Sequence, residues 1–268
     1  MSVKAPVLFV SHGGGPLPLL GDPGHQGMVE AFVHIRQRIE QTSPAPAALL
    51  YVSAHWESAQ PALTCAPQPS LLFDYYGFPP ESYEYRYPVP GAPNLAEDIA
   101  ALLTDAGFVP QLDSARGLDH GVFVPGLMLF PEATIPTLQL SLLSSLDPLQ
   151  HWKLGQALQA LRARNVMIIG SGFSFHNMRE FFGAGSPQAD QLNNAFEQWL
   201  SAALALPDAH ERRQALLDWQ RAPGARFCHP REEHLLPLHV CSAAADSVYD
   251  QHWQFRVLGR QGSCYWWS

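Results

Sequence analysis

The chain has 268 residues, 47% of them apolar and 15% charged, with a formal net charge of −8. Such a length supports one large globular domain with a sizeable core. The acidic balance, with no Lys/Arg cluster, argues against a nucleic-acid or anionic-membrane partner, and no apolar run approaches the roughly 18 residues that span a bilayer.

The N-terminus lacks a basic segment followed by an apolar stretch, so a cytoplasmic protein is expected. Cys65, Cys228, Cys241 and Cys264 show no CxxC spacing, which gives neither a zinc knuckle nor a disulfide framework. Twelve histidines against sixteen Lys plus Arg is the anomaly, and a metal site would explain it.

Pro6 to Val10 reads as a buried strand that empties into Ser11-His12-Gly13-Gly14-Gly15-Pro16. The glycines permit close backbone approach, but neither dinucleotide nor P-loop spacing is present. Met28, Phe32, Ile35 and Ile39 predict an amphipathic helix. Ala47 to Val52, after the breakers Pro44 and Pro46, predicts a second buried strand with Ser53-Ala54-His55-Trp56-Glu57 at its end. Open α/β sheets place ligands beyond their strand ends. His12 and His55 both occupy such places and can converge on one metal ion.

Phe73 to Pro80 and Tyr83 to Gly91 are aromatic, proline-rich and aperiodic, which excludes a regular helix or a central strand. Such a segment is either an active-site rim or an ordinary packed loop. Asn94 is expected to cap a helix to about Ala106, with Leu95, Ile99 and Leu102 on one face. Leu118-Asp119-His120-Gly121 precedes an apolar segment, Val122 to Phe130, and Thr137 to Leu142 alternates like a strand. Asp147-Pro148 opens a helix with an acid at its cap.

Val166 to Gly170 is a third buried strand, followed by a glycine–serine turn carrying His176. Leu192, Phe196, Trp199, Leu200 and Ala203 mark the next helix, and Pro207 to Ala222 reads as a helical surface insert. His229-Pro230-Arg231-Glu232-Glu233-His234 opens a final helix, Leu235 to Ala245, and the tail offers one strand-like run, Trp253 to Leu258. The alternation predicts a single α/β domain over residues 1–268, with a mainly parallel central sheet flanked by helices on both faces.

The motifs SHGGGP, SAHW, DYYGFPxxxYxxxYPxPG, LDHG, GSGxxxHN and PxxEHxxPL follow one another from Ser11 to Leu238. In that combination the chain resembles the class III extradiol ring-cleavage dioxygenases, DOPA-4,5-dioxygenase-like branch. The resemblance implies a non-haem Fe(II) enzyme that opens a small aromatic diol with O2 to a semialdehyde, with Zn(II) as an alternative occupant. Two histidines and a carboxylate leave an iron three open positions.

It assigns His12 and His55 to the metal, with Glu233 or His234 completing the site and His176 as a further candidate. Neighbours on a helix diverge by roughly 100°, which disfavours Glu233 and His234 on one ion. His176 is also the candidate base and His120 an oxygen-stabilising donor, both catalytic in this reading. Tyr75, Tyr76 and Phe78 are the candidate substrate contacts, and Arg86 and Arg116 the basic residues nearest the motifs. A zinc-dependent hydrolase with Glu233 as base and a non-catalytic metal-binding protein on the same scaffold stay open as alternatives, although HExxH is absent. Neither the natural catechol nor an oligomeric state is set by the sequence.

Overall fold

The apolar runs at 7–11, 137–143 and 166–172 are buried at every residue, as strands become when helices cover both faces of their sheet. The computed structural model describes residues 4–42, 44–183 and 185–268. The chain runs through β1 (Val7–Ser11), α1 (Gln26–Glu40), β2 (Ala48–Ser58), β3 (Ala62–Thr64), α2 (Pro93–Asp105), β4 (Gln111–Asp113) and α3 (His120–Leu129). It continues with β5 (Thr137–Leu143), α4 (Pro148–Ala163), β6 (Val166–Gly172), α5 (Met178–Phe181), α6 (Pro187–Leu204) and α7 (Ala209–Leu217). The last elements are α8 (Ala225–Cys228), α9 (Leu236–Ala245), β7 (Gln251–Val257) and β8 (Arg260–Trp267).

One eight-stranded sheet has the order β4-β3-β5-β2-β6-β1-β8-β7. Its centre, β5-β2-β6-β1, is parallel, while β3–β5, β1–β8 and β8–β7 pair antiparallel. In one layer α4 and α9 pack together over β6; in the other α1 and α3 pack together, with α3 reaching β2 and β6. Because β6 lies between β1 and β2, the carboxyl ends of three strands border one crevice, the place where such sheets bind ligands.

Several expectations change. β2 does not stop at Val52; it continues to Ser58, past its last pairing with β6 at Ser53, and its pairing with β5 slips between Val52 and Glu57. His55 therefore sits on an irregular strand extension, where such a slip re-aims a side chain. Asn94 is not a cap: Ala92 holds that position, Pro93 opens α2, and Ala96, Ile99 and Leu103 face inward. Asp147 does cap α4, accepting from the Leu149 and Gln150 N–H groups.

Val122 to Leu129 belongs to α3 despite Pro125, and Phe130 is its C-terminal cap. The segment after Pro207 is helical, as α7, but it is tied into the body through the buried Arg212, Leu216 and Trp219. Short β3 and β4 and the second tail strand β8 were not expected; β8 pairs with β1 and is buried along nearly its whole length. Among the described residues no helix is long and apolar enough to cross a membrane.

Candidate metal centre and active site

Each histidine of the crevice is fixed through its own backbone. The His12 N–H donates to the Gly172 carbonyl at the end of β6 (3.0 Å), and the His176 N–H to the Cys228 carbonyl (2.9 Å). The His120 N–H, at the start of α3, donates to Asp74 Oδ1 (3.1 Å). The His234 carbonyl accepts from the Phe173 N–H (2.9 Å). That last contact requires glycine at 172, because a Cβ there would lie 2.1 Å from the His234 oxygen. Gly13, at φ +84°, similarly lets the first loop fold against His25, whose Nε2 accepts from the Gly14 N–H at 3.0 Å.

The rings meet. His12 and His55 centroids are 4.9 Å apart, His55 and His234 4.9 Å, and His12 and His234 5.4 Å. His120 lies 3.8 Å from His55, and His176 stacks on His234 at 3.4 Å. The Nε2 atoms of His12 and His55 are 2.9 Å apart.

The surrounding hydrogen bonds decide which ring nitrogens carry protons. Pro125 has no N–H, so the carbonyl four residues back, Gly121, is left free by the helix, and the Ser171 hydroxyl donates to it. With its proton committed, Ser171 Oγ accepts from His12 Nδ1 at 3.0 Å, which leaves His12 Nε2 bare. Glu233 Oε1 lies 2.9 Å from Nδ1 of both His176 and His234. An ionised carboxylate only accepts, so both rings donate through Nδ1, and the neutral His234 ring keeps Nε2 unprotonated. Asp74 Oδ1 accepts from His120 Nδ1 at 2.7 Å, and its Oδ2 lies 3.8 Å from His55 Nδ1.

Protonation energetics agree with this arrangement. Burial, then repulsion from His234, His120 and His176, holds the His12 imidazole well below its usual range. Burial and the neighbouring rings do the same to His55. His234 falls to about 3, through burial and His176, against the pull of Glu233. These three rings are neutral at pH 7, the form in which imidazole ligates. Burial opposes ionisation of Glu233, but hydrogen bonds from His176 and His234 outweigh it and hold the carboxyl far below the usual carboxylate range.

A cavity of about 360 Å³ opens here, lined by His12, His55, His120, His176 and His234 but not by Glu233. The sequence-based objection to Glu233 and His234 sharing a site assumed a helix; both lie in the turn before α9, and their side chains touch. Groups of donor atoms able to hold a metal ion form from His12, His55 and His120, and from His176, Glu233 and His234. Imidazole nitrogens of neutral rings facing one another in one cavity are a donor set that fits a cation.

Tyr75, Tyr76 and Phe78 all line the cavity. The Tyr75 hydroxyl is committed to the Ser82 carbonyl, so it offers a ring face rather than a donor. Arg116 lies behind the site, over the Trp56 ring, and donates to the His55 carbonyl and Asp119 at 3.2 Å each. Neither it nor Arg86 lines the cavity. The sequence reading gave no role to Asp74 or Ser171, which hydrogen-bond the His120 and His12 rings, nor to Leu17, Phe173, Met178, Phe181, Phe182, Val257 and Leu258 of the wall. Asp74 carried one signal, an acid within an aromatic loop; the wall residues carried none.

A model of the family described as the catalytic LigB subunit of aromatic ring-opening dioxygenase matches residues 6–264. The dioxygenase tasH of Hapsidospora irregularis is 42% identical, covering 98% of this chain and 86% of its own. Proteins named 4,5-DOPA dioxygenase extradiol are similar too: that of Beta vulgaris at 37% identity (88% of this chain, 85% of its own) and that of Escherichia coli K12 at 32% (91% and 87%). The crystal structure of an uncharacterized protein from Escherichia coli K12 superimposes with a TM-score of 0.74 at 27% identity, covering 99% of this chain and 100% of that one.

Proposed function

The chain belongs to the family of the catalytic LigB subunit of aromatic ring-opening dioxygenases, and from that premise we propose that it opens a catechol ring beside the two hydroxyls. O2 is the co-substrate, and His12, His55 and His234 hold the metal. The observation that carries this reading is the convergence of bare imidazole nitrogens in one cavity, with every Nδ1 proton of His12, His234 and His176 given to a neighbour. When bound there, Fe(II) would supply open positions and the redox couple that lets electron density pass from catecholate to O2. Zn(II) suits the same nitrogens but brings no redox chemistry.

The remaining roles fall to the chain itself. His176 Nε2, kept free because Nδ1 donates to Glu233, takes the proton of the second hydroxyl. His120, oriented by Asp74 and 3.8 Å from the His55 ring, holds or returns a proton. Glu233 is a positioning residue rather than a ligand, since Oε1 is shared between two imidazoles and such carboxylates fix ring orientation and raise ligand basicity. Tyr75 and Phe78, edge-to-face at 5.4 Å, offer the aromatic substrate its packing surface and keep water from the reacting end.

The test is anaerobic loading with Fe(II), then oxygen uptake and a visible scan over a catechol panel. Uptake with growth of a yellow semialdehyde band is expected. His12→Ala should lose the metal, whereas His176→Ala should keep it and lose turnover. Fully iron-loaded protein that consumes no oxygen with any catechol would refute the reading and bring a hydrolase or a metal-binding protein forward.

A further inference from the structure

The cavity wall is chemically one-sided. Outside the histidines and the Gly13–Gly15 backbone it is built from Leu17, Phe173, Phe181, Val257, Leu258 and the aromatic residues already named. No Lys, Arg, Asp or Glu lines it among the described residues. Its apolar surface continues outward to the mouth, where Tyr76, Phe182 and Met178 are 91%, 75% and 51% exposed. Exposed apolar side chains grouped at one opening mark a binding surface more often than chance placement does.

The nearby cations are engaged elsewhere. Arg231 grips both carboxylate oxygens of Glu57 at 2.6 Å, and Arg260 is paired with Glu180 and Asp190 at 2.9 Å each. Arg179 belongs to the adjoining groove with Arg231 and Glu233, not to this cavity. A carboxylate or an amino-acid head group carried into the cavity would meet no counter-charge, and an unpaired charge is costly to desolvate.

We infer that the substrate is a catechol whose ring carries an uncharged, apolar substituent on the edge away from its hydroxyls. This rests on the ring-opening reading of the site. With the hydroxyls at the histidines, the substituent runs along the apolar wall toward Phe182 and Met178, and each added methylene gains contact there.

The test compares Fe(II)-loaded enzyme on 4-methyl-, 4-propyl- and 4-butylcatechol, on 3-(3,4-dihydroxyphenyl)propionate and on DOPA. Oxygen uptake and anaerobic calorimetric binding are both measured. Lengthening the alkyl chain should raise kcat/KM and affinity roughly threefold to fourfold per buried methylene. Ending a chain of similar length in a carboxylate should lower both by about an order of magnitude. Phe182→Arg, at an exposed rim position, should shift preference toward the carboxylated catechol, and Arg179→Ala should leave the ranking unchanged.

Faster turnover of DOPA or the propionate than of the alkylcatechols would overturn the inference while leaving ring opening intact. So would a loss of carboxylate turnover in Arg179→Ala. Absence of uptake with every catechol would instead remove the ring-opening reading, and this inference with it.

Discussion

Glu197 is fully buried on α6, where Oε2 accepts from the Ser263 hydroxyl and Oε1 has no partner. Burial pushes its carboxyl from 4.5 up to about 7, against the hydrogen bonds of Ser174 and Ser263. A raised acid binds its proton more tightly in the folded state. Its contribution to stability is therefore complete below about pH 4.5 and is lost as pH rises through 7. At ~1.36 kcal/mol per pH unit, the loss between pH 5 and 8 is about 2.5 kcal/mol. Unfolding entropy of ~2.1 cal/mol/K per residue gives ~0.56 kcal/mol/K for a chain of 268 residues, so the melting temperature should fall by about 4 °C from this group alone.

Glu197→Gln keeps the shape and cannot ionise. Thermal and urea melts of metal-free wild type and variant, from pH 5 to pH 8, should show the variant losing less stability by that amount. Parallel pH profiles would show that Glu197 is not the linked group and would refute the reasoning.

Gly172→Ala places a Cβ against the His234 carbonyl. It should cost about 1–3 kcal/mol in urea unfolding and weaken metal binding by displacing the turn at 231–235; unchanged unfolding would show that the turn yields freely. Ser171→Ala leaves the Gly121 carbonyl and the His12 Nδ1 proton without partners. Metal affinity should drop roughly 10–100-fold in a chelator-competition titration, with the fold retained; wild-type affinity would show that the hydroxyl does not set the ring.

The parallel strands and the histidines were legible because both are written locally: an apolar run names a buried strand, and a histidine beside glycine and serine at its end stands out. The strand extension that carries His55 was not, because Ser53-Ala54-His55-Trp56-Glu57 reads as a loop until the slip against β5 is seen. The link from Pro125 through Gly121 and Ser171 to His12 is a relation between three distant segments, which no window of sequence contains. Leu258 was invisible for the same reason: it reaches the cavity only because β8 turns the tail back beside β1. The contact between the Glu233 and His234 side chains was hidden because the stretch reads as the start of a helix, whereas both residues lie in the turn before α9.

The position of β1 has a consequence for synthesis. Its two neighbours, β6 and β8, begin at Val166 and Arg260, so this apolar strand leaves the ribosome long before either partner exists. Long-range pairing of this kind is slow and exposes an unpaired edge while it waits. The cavity, drawing on residues from His12 to Leu258, can close only when nearly the whole chain has emerged. A nascent chain thus carries His12 and His55 early but completes the cavity around them only once the tail has emerged.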